Sequence, residues 1–151
     1  MKIIARHLTV DLYNCKNSKL EDYELIKQRV YDALATVKID LLALNSEQVD
    51  ERHYVLLAIL QEGHLSMHVY TDLKYVAIDI FLCKENAQPE ELSKLFRNFF
   101  QPDKTKTTFL KRGDFTAAKD VRPKVKTKVA PLRKIHNTGA KVIRILARRK
   151  Q

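Results

Sequence analysis

Residues 53–83 read HYVLLAILQEGHLSMHVYTDLKYVAIDIFLC, and this stretch decides the fold. His53 to Leu60 is almost continuously apolar, the pattern of a strand buried over most of its length. From Leu65 to Tyr70, the apolar Leu65, Met67 and Val69 alternate with Ser66, His68 and Tyr70, a strand with one face inward. From Tyr75 to Cys83, Val76, Ile78, Ile80 and Leu82 share a face. Three strands follow one another with short connections, which predicts an antiparallel sheet.

The flanking sequence supplies the other layer. Ile3 to Leu12 reads as a strand, with Ile4, Leu8, Val10 and Leu12 on one side. Ser18, with Glu21 three residues on, forms a capping-box pattern that predicts a helix to about Val37. Leu25, Ile26, Val30, Ala33, Leu34 and Val37 give its apolar stripe. Ile39 to Leu44 reads as a short strand and Asn45 to Arg52 as a polar loop. Pro89, followed by Glu90 and Glu91, opens a second helix whose stripe is Leu92, Leu95, Phe96, Phe99 and Phe100. Thr105 to Leu110 is a last strand, ended by Arg112-Gly113. The expected fold is α+β: a two-layer sandwich, an antiparallel sheet with two helices on one face, plus a basic C-terminal extension. The sheet face without helices would need a partner, so a homodimer is expected.

Charge divides the chain in two. Residues 119–151 hold twelve Lys/Arg and one acid, Asp120, a net of +11. The whole-chain +10 therefore leaves −1 for residues 1–118. These ranges are the expected domain of residues 1–118 and the expected basic tail of residues 119–151. Within the tail, Val and Lys alternate around Pro123 and Pro131, reading as an extended arm, and Thr138 to Arg149 reads as a short basic amphipathic helix. Such an arm suits polyanions, nucleic acid or anionic lipid, by phosphate neutralisation. It lacks interleaved aromatics, so base stacking is not expected.

No apolar run approaches the ~20 residues that span a bilayer. The opening Met1 to His7, broken by Arg6, lacks the apolar core of a signal peptide. A cytoplasmic protein without a membrane span is expected. Cys15 and Cys83 form neither a disulfide framework nor a metal pattern. His64 and His68, four apart on a strand, face the same side, but no third metal ligand stands at a conventional spacing. No metal site is expected.

The segment Glu62-Gly63-His64-Leu65-Ser66-Met67-His68, followed by Tyr75, Ile78-Asp79 and Cys83, resembles the signature of bacterial S-adenosylmethionine decarboxylases. That signature reads Glu-Ser-His-Leu-Ser/Thr-Ile-His, then a spacer, then Ile-Asp-Val-Tyr/Phe-Thr-Cys. Arg6-His7-Leu8, Asp11-Leu12-Tyr13, Cys15 and Leu110-Lys111-Arg112-Gly113 resemble the family's opening and closing pieces. The match is collinear over residues 2–115.

The resemblance implies a chemistry that this sequence alters. The family makes its cofactor from its own chain. A serine hydroxyl attacks the preceding carbonyl, and β-elimination and hydrolysis leave a pyruvoyl group, the electron sink for decarboxylation. By this resemblance the cleavage-site acid is Glu62, the processing histidine His68 and the proton-donating cysteine Cys83. The pyruvoyl-forming serine falls on Gly63, which has no hydroxyl. The family's Gly-Val-Ser-Gly, whose serine assists processing, falls on His53-Tyr54-Val55-Leu56. The family's Pro-Glu falls on Thr71-Asp72, and its substrate-loop Phe and Pro-Gly fall within residues 45–52 without a match. Ser66, the nearest hydroxyl, aligns with the family's own Ser/Thr and is read as structural, as are Arg6 and His7.

The expectation is a decarboxylase-fold protein without a pyruvoyl cofactor. It would be a pseudoenzyme linked to polyamine and spermidine biosynthesis that binds S-adenosylmethionine or a related amine, or pairs with an active paralogue as a regulatory subunit. The alternatives are an active S-adenosylmethionine decarboxylase (a lyase) with unusual processing, and a nucleic-acid-associated protein that works through its tail.

Overall fold

A computed structural model describes residues 4–115 and 122–131. Its elements run β1 (Ala5–Tyr13), α1 (Tyr23–Thr36), β2 (Leu41–Asp50), β3 (His53–Leu60), β4 (Gly63–Tyr70), β5 (Tyr75–Leu82), α2 (Pro89–Phe100), β6 (Lys104–Arg112) and β7 (Lys124–Val129). The strands form one antiparallel sheet in the order β2-β3-β4-β5-β1-β6-β7. Among the described residues, two helices on a seven-stranded sheet make the α+β sandwich that the sequence predicts.

Period-2 alternation places the core. Leu8, Val10 and Leu12 of β1, Leu56, Ala58 and Leu60 of β3, Leu65, Met67 and Val69 of β4, and Val76, Ile78, Ile80 and Leu82 of β5 are all buried. They meet Ile26, Val30 and Leu34 of α1 and Leu92, Phe96 and Phe100 of α2 in a single apolar cluster. The opposite side of the sheet carries His7, Asp11, Tyr13, Val55, Leu57, Ile59, His64, Ser66, His68, Tyr70, Tyr75, Asp79 and Phe81, which are half-buried or exposed. Among the described residues no helix lies over it.

Three expectations change. The first helix is capped by Asp22, whose side chain accepts from the Leu25 N–H at 2.9 Å. Residues Asn17–Lys19 instead form a 3-10 turn, which anchors the fully buried Leu20 ahead of the helix. Asn45 to Arg52 is not a loop: β2 runs to Asp50, and the turn is at Glu51–Arg52, where the Asp50 side chain accepts from the Arg52 N–H at 2.7 Å. As an edge strand exposed along most of its length, β2 has no apolar alternation for a sequence reading to detect. The extended arm is paired rather than free over residues 124–129, where β7 joins β6 with Lys126 opposite Thr107 and Lys128 opposite Thr105. The expected helix from Thr138 to Arg149 lies outside the described residues.

Candidate active site

The junction between β3 and β4 holds three of the four sequence-selected residues. Leu60 pairs with Gly63, and Gly63 pairs with Leu82. Beyond that pair, the Cys83 N–H donates to the Glu62 carbonyl at 2.6 Å, and Lys84 Nζ lies 3.3 Å from Glu62 Oε2. Glu62, Gly63 and Cys83 thus form one closed strand end, with the Cys83 thiol exposed.

Gly63 is fixed there by space. A Cβ built on it would fall 1.9 Å from the Phe81 carbonyl oxygen and 2.9 Å from its carbonyl carbon. Real Cβ atoms do not approach backbone this closely, so a side chain at position 63 needs the backbone there to shift. The pyruvoyl-forming reaction needs a hydroxyl on that Cβ. The residues present therefore do not fit the family's self-made cofactor: the oxygen is missing, and its carbon has no room.

His68 stands apart from this junction. Five residues of strand, about 16 Å, separate it from Gly63, and it lies on the helix-free face. Across the sheet His68 is directly opposite Val55, the position of the family's assisting serine. Valine offers no hydrogen bond. His68 Nδ1 instead meets Nε2 of His53 at 3.0 Å, one ring nitrogen donating and the other accepting. His53 also stacks on Tyr70, with centroids 4.3 Å apart and rings 12° from parallel. Rings continue across the sheet through Tyr75 and Tyr13. Local sequence alone does not mark His53 as part of the site. The signal that could have found it is its place at the family's glycine, two residues before Val55.

The remaining candidates have ordinary partners. His64 stacks on Phe81 at 5.2 Å, and His7 lies edge-on to the same ring, with Nε2 3.4 Å from Asp79 Oδ1. Ser66 sits between Leu57 and Asp79 in register. Tyr75 donates its hydroxyl to Asp11; its burial, followed by that carboxylate, raises its pKa. Burial likewise pushes the Cys15 thiol up to about 12, reinforced by the nearby Asp103. Among the described residues no three metal-ligating side chains converge, and no helix is long and apolar enough to cross a membrane.

Among the described residues, this sheet and its two helices have the fold of a solved adenosylmethionine decarboxylase. Residues 6–113 match the family model described as S-adenosylmethionine decarboxylase, and the chain belongs to that family. It is 29% identical over 113 residues to an S-adenosylmethionine decarboxylase proenzyme of Methanococcus vannielii, covering 75% of this chain and 93% of the relative. It is 32% identical over 114 residues to one of Thermomicrobium roseum, covering 75% and 97%. The solved adenosylmethionine decarboxylase of Aquifex aeolicus superposes with a TM-score of 0.70 at 16% identity, over 81% of this chain and 100% of that one, a likeness of fold.

Proposed function

We propose that this chain is a member of the decarboxylase family that does not process itself and forms no pyruvoyl cofactor. It acts as a ligand-binding or regulatory homologue in polyamine metabolism, in the cytoplasm. One observation carries the reading: position 63 has neither the hydroxyl that attacks the preceding carbonyl nor space for the carbon that would bear it. One further feature supports it: the position opposite His68 is Val55, so the assisting hydroxyl is gone as well.

The helix-free face is the place for a partner, either a second copy or an active paralogue. An amine-bearing ligand such as S-adenosylmethionine would find ring faces there, from Tyr70, Tyr75 and Tyr13, suited to a cationic group. The retained His68 and Cys83 would then be inherited positions rather than working catalytic groups.

Intact mass tests the reading against the alternative of an active enzyme with unusual processing. The purified protein should give one species at 17.6 kDa, with no cleavage between Glu62 and Gly63. Two fragments with a carbonyl-blocked new start, at Ser66 or elsewhere, would overturn it. Titration with S-adenosylmethionine, followed by calorimetry, should show binding without release of carbon dioxide.

A further inference from the structure

The edge formed by β6 and β7 builds a site that the decarboxylase core does not have. β7 lies beyond residues 6–113, the part matched to the family. Its register puts Lys126 and Lys128 beside Thr107 and Thr105, on the helix side of the sheet. Thr105 pairs with Leu12 and Thr107 with Val10, both core residues, so the side is fixed by β1. Above this edge, α2 supplies Glu90, Ser93, Lys94 and Arg97, and the whole encloses a cleft of about 270 Å³.

The lining is unusual for a surface recess. Ser93 and Thr105, the two buried polar side chains among the described residues, both belong to it. Among those residues neither hydroxyl has a hydrogen-bond partner in the protein. Four cations face one carboxylate, Glu90, and none of the four is ion-paired among the described residues. An adjoining recess shares Arg97, Thr105 and Lys128 and reaches Asp103, whose carboxylate already accepts from the Asn14 side-chain amide.

Lysines on a sheet edge ordinarily guard it against pairing with other strands. That role needs no convergence with a helix and no hydroxyls lining the same cleft. Cations from two elements, together with hydroxyl donors at the floor, are what a phosphoryl group requires. We propose that this cleft binds a small ligand through a phosphate or polyphosphate group, held by Lys94, Arg97, Lys126 and Lys128, with Ser93 and Thr105 donating from below. Its small volume, about 270 Å³, favours a compact anion over a nucleic-acid backbone, which would track a long groove.

Titration calorimetry of the full chain with inorganic tripolyphosphate tests this, with amide shifts followed by NMR. Saturable one-to-one binding is expected, with the largest shifts at Ser93, Thr105 and Thr107. Lys126→Gln with Lys128→Gln should weaken binding about tenfold or more. Thr105→Val with Thr107→Val should also weaken it, although no charge changes. Arg144→Gln with Arg148→Gln and Arg149→Gln, in the tail, should leave affinity unchanged. The proposal is overturned if the tail variant loses binding while the cleft variants keep it. It is also overturned if the shifts fall elsewhere, or if oligothymidylate binds in preference to tripolyphosphate and is insensitive to the cleft variants. None of these readouts depends on whether the chain processes itself.

Discussion

At position 63 the chemistry and the packing point the same way. Restoring the nucleophile with Gly63→Ser adds a Cβ where the Phe81 carbonyl oxygen stands. Forcing atoms into such a site costs about 1–3 kcal/mol. Gly63→Ala should therefore lower the melting temperature, and Gly63→Ser should lower it similarly without efficient cleavage on denaturing gels. Adding Val55→Ser places a hydroxyl opposite His68 and should increase processing. Efficient cleavage of Gly63→Ser alone, with an unchanged melting temperature, would show that the junction adapts and that only the oxygen is missing. The cysteines separate just as sharply. Cys15 is buried and its Sγ–H faces the Leu12 carbonyl at 3.6 Å, whereas Cys83 is exposed. A folded pKa raised from 9.0 to about 12 keeps Cys15 protonated where an unfolded thiol would ionise. Its contribution to stability is therefore complete below about pH 9 and fades as pH climbs toward 12. At pH 8, iodoacetamide should modify Cys83 alone in the native protein and both cysteines in denaturant, as counted by intact mass.

Among the elements, β7 is the least anchored. It touches the sheet through β6, and its side chains are exposed apart from the half-buried Val129. Deleting residues 119–151 should change the stability of the body by no more than about 1 kcal/mol, read from thermal unfolding. A large loss would mean that the tail packs on the sheet or at a subunit interface. The same exposure explains what a sequence reading could and could not see. β1, β3, β4 and β5 lie between helices on one side and polar rings on the other, so burial writes a period-2 pattern that names the strands and their inner face. α1 and α2 rest on the same core and show their stripes for the same reason. β2 and β7 are edges with little burial, so local sequence reads as a loop over half of β2 and as an unpaired arm over β7. At the site, Gly63 could be read as a missing hydroxyl, because that is a property of the residue itself. That the Phe81 carbonyl fills its side-chain space, and that His53 takes over His68, are properties of register between strands. Neither is present in local sequence.

At the scale of the molecule, the described helices cover one side of the sheet only, and the other side sets the expected assembly. Leu57 and Ile59 on that side are 42% and 45% exposed, flanked by the Phe81 and His64 rings and by the ring series from His53 to Tyr13. An apolar and aromatic patch on a sheet of seven strands suits a subunit interface more than free solvent. Two copies meeting face to face would bury these residues and bring the His53–His68 pairs into the shared layer. Light scattering on a size-exclusion column should report twice 17.6 kDa for the unmodified protein. Leu57→Lys with Ile59→Lys should move it to the monomer mass, because charges on this face would be desolvated without partners. Neither side chain points into the core, so circular dichroism should stay the same. Removing the tail should leave the dimer intact. If the unmodified protein is a monomer and associates only when an active decarboxylase paralogue is added, the partner is that paralogue, and the same two substitutions should prevent the association. A monomer under both conditions would show that the face serves neither kind of subunit contact, and the regulatory-subunit reading would fail with it.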